Sequence, residues 1–255
     1  MGVRKVRRLR GMGQTGARDA ADATGSADGV TGVVGGVDAG RAMDAVTGAV
    51  GAMGLRERKK LRMYQDVSDI AISLFLEKGF EKVSVAEVAA AAEISKPTLF
   101  RYFSSKEDLV LYRFADHETE AARVVGERAP GQSAIDALRL HFLAGIERND
   151  PVTGVNGDPH ILAFHRLLYG TPSLVARLYE YLERSEAALA TALGGNLEAR
   201  LAAGQVVAVQ RILAMDNWRR IARGEDVAKV QRDAVAAAEA AFGRLGQGLP
   251  GYATR

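Results

Sequence analysis

The sequence contains no cysteine among its 255 residues. This absence excludes disulfide bonds, thiol nucleophiles and cysteine-ligated zinc or iron–sulfur centres, and it fits a cytoplasmic protein. The sequence also lacks an uninterrupted apolar stretch of the ~18–20 residues that a membrane-spanning helix requires. With 47% hydrophobic and 25% charged residues, the composition is otherwise that of a globular protein. We therefore expect a globular, cytoplasmic protein with no membrane segment.

Large apolar side chains are scarce in the first part of the chain. Residues 1–54 hold 13 of the 28 glycines, one leucine, no isoleucine and no aromatic residue. This segment has too little apolar area to offset the entropy that ordering costs. The basic stretch at residues 3–10 could begin a secretory signal, but no apolar region follows it. The composition predicts a disordered, Gly/Ala-rich extension over residues 1–54.

From residue 55 onward the apolar residues recur with the period of a helix. Val67, Ile70, Ala71, Leu74 and Phe75 share one face of a helix predicted over residues 57–78. Gly79 can end this helix with a positive φ, which places Phe80 against Phe75. The start of the helix is dense in positive charge at Arg56, Arg58, Lys59, Lys60 and Arg62. Such a run of basic residues usually forms a solvent-exposed helix face. Here it lies just before a sequence motif, described below, that is typical of anion binding.

Three serines mark the helix starts that follow. Ser84 and Glu87 form a capping box before a short helix, and Ser95 is the N-cap candidate of the next helix, over residues 96–103. Ser105 and Asp108 open another helix, predicted to run to about residue 126. Two short helices joined by a tight turn are typical of the helix-turn-helix motif.

The remaining sequence is also helical. Ser133 opens a further helix, residues 149–159 are predicted as a loop, and four helices are expected after it, over residues 161–169, 173–193, 197–223 and 225–245. No convincing period-2 alternation bounded by turn residues occurs, so we predict an all-α fold.

The run from Ser84 to Leu109 closely resembles the N-terminal signature of TetR/AcrR-type transcriptional regulators. The capping serines, the Thr98-Leu99-Phe100 element and the Tyr-Phe-x-x-Lys-Glu ending fall in register, and the resemblance extends over residues 58–114. It implies a three-helix DNA-binding domain at residues 55–114. It also implies a C-terminal helical bundle at residues 115–246 for ligand binding and dimerisation, followed by a flexible C-terminus at residues 247–255.

The start of a recognition helix must present polar side chains to the major groove. Lys96 can donate to guanine or phosphate, and the methyl group of Thr98 can meet a thymine methyl, whereas Leu99 and Phe103 anchor the helix to the core. Lys106 would hold a phosphate together with backbone N–H groups. The predicted DNA-binding residues are Ser84, Ser95, Lys96, Pro97, Thr98, Phe100, Arg101, Tyr102 and Lys106.

The sequence departs from the family pattern at two positions. Phe100 replaces the commoner tyrosine and can offer van der Waals contact but no hydrogen bond. Glu93 occupies the turn where the family often has glycine, so we expect it to take a positive φ at a cost of ~1 kcal/mol and to point sideways from DNA. The basic residues 3–10 could add an auxiliary arm on the DNA backbone, although a solvated tail is the simpler interpretation.

The resemblance implies a sequence-specific regulator, specifically a repressor that leaves a palindromic operator on binding a small, lipophilic effector. The expected partners are double-stranded DNA, the effector and a second copy of the chain that packs through the last two helices, where small alanines allow close approach. The predicted lining residues of the effector site are Phe142, Leu143, Ile146, Ile161, Phe164, Leu168, Tyr179 and Trp218.

A different class of function remains open on the sequence alone. His160 and His165 are five residues apart and do not share a helix face, so we predict no metal site and no cofactor. Catalytic arrangements and nucleotide-binding fingerprints are not apparent. The alternative to a regulator is a helical-bundle enzyme or lipid-binding protein with a vestigial helix-turn-helix, in which these histidines are functional.

Overall fold

A computed structural model describes residues 54–253, and every regular element in that range is helical. The all-α prediction is therefore confirmed, whereas the predicted extension over residues 1–54 lies almost wholly outside the described residues. The first helices are α1 (Leu55–Lys78), α2 (Val85–Ala91), α3 (Lys96–Tyr102) and α4 (Asp108–Leu111), with 3₁₀ segments at Phe80–Lys82 and Tyr112–His117.

The longer helices follow in the second part of the chain. They are α5 (Glu120–Gly126), α6 (Ala134–Glu147), α7 (Pro159–Gly170), α8 (Pro172–Ala192), α9 (Leu197–Ala222), α10 (Val227–Gly248) and α11 (Pro250–Ala253), with a 3₁₀ segment at Pro151–Thr153. The bounds of α7 to α9 agree with the predicted ones to within two residues. No helix within residues 54–253 has both the length and the apolar character needed to cross a lipid bilayer.

Serine caps begin the predicted helices. The hydroxyls of Ser84, Ser95, Ser105 and Ser133 each accept a hydrogen bond from the backbone N–H three residues later, at 3.1–3.2 Å. Each bond satisfies one of the N–H groups that a helix start leaves without an internal partner. At the end of α1, Gly79 has a φ of 92° and Phe80 lies against Phe75, with ring centroids 4.9 Å apart.

The predicted single helix from Ser105 to residue 126 is wrong. The chain forms the short α4, then the 3₁₀ segment Tyr112–His117, and only then α5. The aromatic rings explain the break, since Tyr112 stacks on Tyr64 at 5.2 Å and the carbonyl of Phe114 accepts a hydrogen bond from the hydroxyl of Tyr181. These contacts come from distant parts of the chain and override the local helical pattern.

The predicted flexible C-terminus at residues 247–255 also differs from the structure. Helix α10 continues to Gly248 and α11 adds another turn. Leu249 is only 7% exposed, and Tyr252 packs against the buried core. Burial of these two apolar side chains holds the segment in place as far as residue 253.

The buried residues form two clusters. The first core joins α1 to α4 with one face of α7 and α8, and it includes Phe75, Leu99, Leu168 and Tyr181. The second core lies among α5, α6, α8, α9 and α10, and it includes Leu138, Ile146, Val206 and Phe242. The first core therefore crosses the predicted domain boundary at residue 114. A segment as small as residues 55–114 buries little surface alone, and α7 and α8 complete its core.

Candidate nucleic-acid interface

The turn between α2 and α3 sets the direction of α3. Glu93 has a φ of 56°, as expected for a position where glycine is common, and its side chain is exposed. The N–H of Ile94 donates to the carbonyl of Ala89 at 3.0 Å and closes the turn. A buried hydrogen bond also fixes α1 to α4, because the hydroxyl of Ser68 donates to the carbonyl of Leu109 at 2.7 Å.

Helix α3 has one buried face and one exposed face. Leu99 and Phe103 are 1% and 3% exposed and anchor the helix in the first core, as predicted. Ser95, Lys96, Pro97, Phe100 and Arg101 are exposed on the other side. The aromatic ring of Phe100 is unusual there, because 45% of this large apolar residue is open to solvent. The helix therefore offers a surface with both polar and apolar groups to a partner.

The first turn of α3 is held by its own hydroxyl groups. Ser95 Oγ accepts from the backbone N–H of Thr98 and lies 2.7 Å from Thr98 Oγ1. Thr98 is half-buried, so its methyl group and hydroxyl are restrained before any partner arrives. Ser84 caps α2 in the same way and is exposed.

Exposed positive charges are present on both α1 and α3. Within the part of the chain that the structure describes, six exposed cations form no salt bridge with a carboxylate, namely Arg58, Lys59, Lys60 and Arg62 of α1 and Lys96 and Arg101 of α3. The charges of α3 lie near aromatic rings instead, with Lys96 Nζ 5.9 Å from the ring centre of Phe100 and Arg101 Cζ 5.5 Å from that of Tyr102. These cations are available to phosphate groups.

Tyr102 occupies the edge between the core and the exposed face. It is half-buried, and its ring meets Tyr64 edge-on with centroids 5.0 Å apart. Tyr64 in turn contacts Phe103 and Tyr112. This aromatic packing fixes the position of the Tyr102 ring relative to α1.

Lys106 is placed differently from the prediction. It lies in the turn before α4 and not in the first turn of that helix, which begins at Asp108. Its ammonium group donates to the carbonyl of Phe80 and sits 4.2 Å from the centre of the Phe80 ring. A phosphate contact by Lys106 stays a prediction. It requires the ammonium group to leave the Phe80 carbonyl and ring and to bind a phosphate of the DNA backbone instead.

An ion pair joins the DNA-binding segment to the bundle. Arg177 of α8 donates to Asp108 at the start of α4 at 2.8 Å. Burial alone raises the pKa of Asp108, but hydrogen bonds from Arg177 and Ser104 outweigh it, so the pKa lies below its usual value. Asp108 therefore stays ionised and keeps α4 attached to α8.

The predicted effector residues do not come together in one place. Phe142 and Ile146 are buried in the second core with Leu143 against it, whereas Leu168 is buried in the first core with Phe164 against it. Ile161 is half-buried, and Tyr179 is 52% exposed beside Arg211. A cleft of about 450 Å³ lies elsewhere, lined by residues 125–126, 128–134 and 192–193 with Gly251 and Tyr252. The predicted effector residues therefore do not line a single chamber.

Trp218 belongs to an aromatic group that sequence reasoning missed in part. His165 and Tyr169 of α7 pack against it, with ring centroids 5.9 Å and 5.0 Å away. His165 is 6% exposed, whereas His160 is exposed. The sequence indicates part of this group, because His165 follows Phe164 directly and precedes Tyr169 by four residues on one helix. Within residues 54–253 no three His, Asp or Glu side chains are grouped so as to hold a metal ion.

Comparison with known proteins identifies the family. Residues 69–112 match the family model for bacterial regulatory proteins of the tetR family. The transcriptional regulator TcmR of Streptomyces glaucescens is 32% identical over 166 residues, which cover 64% of this chain and 67% of TcmR. The chain belongs to the TetR family.

Other matches are more distant. The A-factor receptor protein of Streptomyces griseus is 26% identical over 113 residues, or 41% of each chain. Among solved structures, NalD, the secondary repressor of a multidrug efflux pump in Pseudomonas aeruginosa, is 16% identical with a TM-score of 0.46, covering 75% of this chain and 97% of NalD.

Membership of the TetR family decides between the two classes of function. The chain is a DNA-binding transcriptional regulator, and the alternative of a helical-bundle enzyme or lipid-binding protein is not favoured. The matched residues 69–112 contain the whole of α2 and α3.

Proposed function

We propose that this TetR-family regulator is a homodimeric repressor that binds a palindromic operator through α3 and leaves it when a small, lipophilic effector binds to the bundle. In this proposal residues 55–114 read DNA, and residues 115–246 bind the effector and the second subunit. Since its target is chromosomal DNA, we place it in the cytoplasm.

The exposed face of α3 is the observation that carries the proposal. It holds Lys96, Phe100 and Arg101, while Leu99 and Phe103 fix the helix from behind. A recognition helix enters the major groove with its N-terminal residues first. Lys96, Pro97 and Thr98 form that end of α3 and are the residues we propose for base contacts. The cations of α1 and Ser84 are proposed to contact phosphate groups.

A second apolar surface supports dimerisation. Leu197, Leu201 and Ile212 of α9 are 69%, 59% and 57% exposed. They lie within about 60° of one another around the helix axis, because each residue turns the helix by about 100°. Val235 of α10 is also exposed, whereas the alanines Ala234, Ala238 and Ala241 are buried within the subunit. The seam we propose is thus the leucine–isoleucine face of α9 with the outer face of α10.

Release by an effector requires a connection between the bundle and α3. Two helices supply it, since α8 holds α4 through the Arg177–Asp108 pair and α7 inserts Leu168 into the first core beside α1. A ligand alters the spacing of the two recognition helices only if it binds the two arrangements unequally. A relative that is named as the receptor for A-factor is in keeping with a small-molecule effector.

Selection of bound duplexes from a random pool tests the proposal. The full chain should enrich an inverted repeat whose half-sites lie about one helical turn apart, ~10 base pairs centre to centre, or a multiple of that. Enrichment of no sequence, or of single half-sites only, contradicts it. On the enriched duplex, Lys96→Ala and Thr98→Ala should each weaken binding by about 1–3 kcal/mol and change base preference. Arg244→Ala, which removes one exposed cation from α10, is the matched control and should leave base preference unchanged.

A further inference from the structure

Helices α7 and α9 carry a cluster of contacting rings that the proposed DNA-binding surface does not use. His165 and Tyr169 of α7 and Trp218 of α9 contact one another, with centroid distances of 5.9, 5.0 and 6.0 Å. We refer to His165, Tyr169 and Trp218 as the ring cluster. Phe164 borders it at 5.9 Å from His165. Tyr169 and Trp218 are part-exposed, so the ring cluster extends from the interior to the protein surface.

Two polar atoms of the ring cluster are buried and have no hydrogen-bond partner among residues 54–253. They are His165 Nδ1 and Trp218 Nε1. Buried polar atoms in native proteins are nearly always paired, and an unpaired one calls for a ligand, a water molecule or a special role. The two atoms come from different helices, α7 and α9, and belong to rings whose centroids are 5.9 Å apart.

The chemistry of the two atoms restricts what such a molecule is. Trp218 Nε1 only donates, so the molecule must offer an acceptor. Burial lowers the pKa of His165 to about 4, so its imidazole is neutral at pH 7 and Nδ1 either donates or accepts according to the tautomer. A hydroxyl oxygen meets both requirements, because it accepts from Trp218 and donates to His165. A carbonyl oxygen accepts from both.

The charges near the ring cluster and the shape of its aromatic surfaces further restrict the chemical class of the ligand. The guanidinium groups of Arg211 and Arg219 act on the hydroxyl of Tyr169 and oppose the rise in its pKa that burial causes. This positive field disfavours a cationic ligand and tolerates a neutral or anionic one. The aromatic surfaces of Phe164, Tyr169 and Trp218 favour a flat ring, which stacks or packs edge-on against them.

We propose that the ring cluster binds an aromatic ligand through a phenolic hydroxyl or ring-carbonyl oxygen that pairs with Trp218 Nε1 and His165 Nδ1. This inference rests on the proposed function, in that it assigns a place and a chemical class to the effector. The position of the ring cluster explains how ligand binding would alter the DNA-binding helices. His165 and Tyr169 lie on the same helix as Leu168, which is fully buried in the first core with α1.

The loop before α7 borders the other side of the proposed ligand site. The amide of Asn217 donates to the carbonyl of Thr153 at 2.9 Å, one residue before Trp218. Gly154 has a φ of 74°, and a side chain there would clash with the carbonyl of Ala214, 1.9 Å from its Cβ position. The loop is therefore fixed against α9, so a ligand must be accommodated by movement of α7 more than of the loop.

A matched pair of probes tests the assignment without DNA. β-Naphthol carries a hydroxyl where β-methylnaphthalene carries a methyl group of similar size. Calorimetry gives the affinities of both probes for the full chain and its variants. We expect β-naphthol to bind saturably and roughly tenfold or more tightly than β-methylnaphthalene, because a site that hydrogen-bonds a hydroxyl rejects the analogue that lacks it.

Two variants separate the hydrogen bonds from general packing. Trp218→Phe and His165→Phe each keep a ring and remove one polar atom, so each should reduce the preference for β-naphthol over β-methylnaphthalene. Phe242→Leu, in the second core, is the control and should leave the preference unchanged. Absence of saturable binding, equal affinity for the two probes, or a preference that survives both variants overturns the proposal.

The same samples distinguish failure here from failure of the proposed function. If the probes bind as expected but the selected duplex does not bind, the proposed function fails and the aromatic site stands. If the duplex binds but the probes show no preference for the hydroxyl, the ring cluster is not the effector site and the repressor proposal stands. If both bind, β-naphthol should weaken duplex binding by the same factor by which the duplex weakens β-naphthol binding.

Discussion

The exposed cations of α1 and α3 and the arginines that join helices of the bundle differ in how they are paired. In the bundle, Arg139 of α6 pairs with Asp136 at 2.7 Å and with Glu239 of α10 at 2.8 Å. Arg220 of α9 likewise bridges Glu225 and Asp233, at 2.8 and 2.6 Å. The Arg139–Glu239 and Arg220–Asp233 pairs join helices to one another, whereas Asp136 lies on α6 itself and Glu225 lies in the turn before α10. Within residues 54–253, the six exposed cations of α1 and α3 named above form no salt bridge with a carboxylate. The bundle thus pairs some of its cations between helices, whereas these six stay accessible to solvent.

The two regions also differ in how their structure is specified. Around α2 and α3, serine caps and anchor residues close in sequence fix the helices, so that residues of α3 have defined roles inside and outside the core. In the bundle, the arrangement depends on contacts between residues far apart in sequence, such as Asn217 with Thr153.

The largest expected effect separates the two faces of α3. Leu99→Ala removes a side chain that is 1% exposed and should destabilise the chain by about 2–5 kcal/mol, because it deletes core contacts and leaves a cavity. Phe100→Ala, one residue away and 45% exposed, should change stability by no more than about 0.5 kcal/mol and weaken DNA binding. Urea unfolding and duplex titration measure the two quantities. A large loss of stability from Phe100→Ala would contradict the assignment of faces.

A slightly smaller effect is expected on the pH dependence of the free energy of unfolding, through the buried imidazole of His165 in the ring cluster. Burial lowers the pKa of His165 from 6.5 to about 4, so between these values the unfolded chain binds more protons than the folded one. The free energy of unfolding should therefore fall as the pH drops from 6.5 to 4, by about 3 kcal/mol at ~1.4 kcal/mol per pH unit, with no contribution from this residue above pH 6.5.

Variants at the two histidines of α7 check this pH dependence. His165→Phe should flatten the stability profile between pH 4 and 6.5 when unfolding in urea is followed at each pH. His160→Gln alters an exposed imidazole on the same helix and is the comparison variant. An unchanged profile in His165→Phe would show that His165 is not held neutral in the folded chain.

Local signals predicted the helix starts and the position of α3, but not the contacts that hold the helices together. Ser84, Ser95 and Ser133 could be recognised as caps because a cap and its N–H partner are three residues apart. The break at Tyr112–His117 could not be foreseen, since it depends on Tyr64 and Tyr181, 48 and 67 residues from their partners Tyr112 and Phe114. His165 was identified as a histidine on a helix, but its unpaired nitrogen depends on how α7 meets α9.

The smallest effect concerns Lys106, whose position differs from the prediction. Lys106→Ala removes a cation that rests on Phe80, and we expect weaker binding to all duplexes alike, with a salt dependence lower by about one unit. Lys82→Ala, which removes a nearby exposed cation, gives the comparison. If Lys106→Ala leaves the salt dependence unchanged and lowers only the melting temperature, the role of Lys106 is structural.

The central claim is that two copies of α3 enter successive major grooves on one side of the DNA, and the spacing of the half-sites tests it most directly. The enriched duplex should be compared by titration with a duplex in which five base pairs are inserted between its half-sites. Half a helical turn moves one half-site to the opposite side of the DNA, so the account predicts that binding falls by roughly 100-fold or more, towards the non-specific level. Equal affinity for the two duplexes would contradict it.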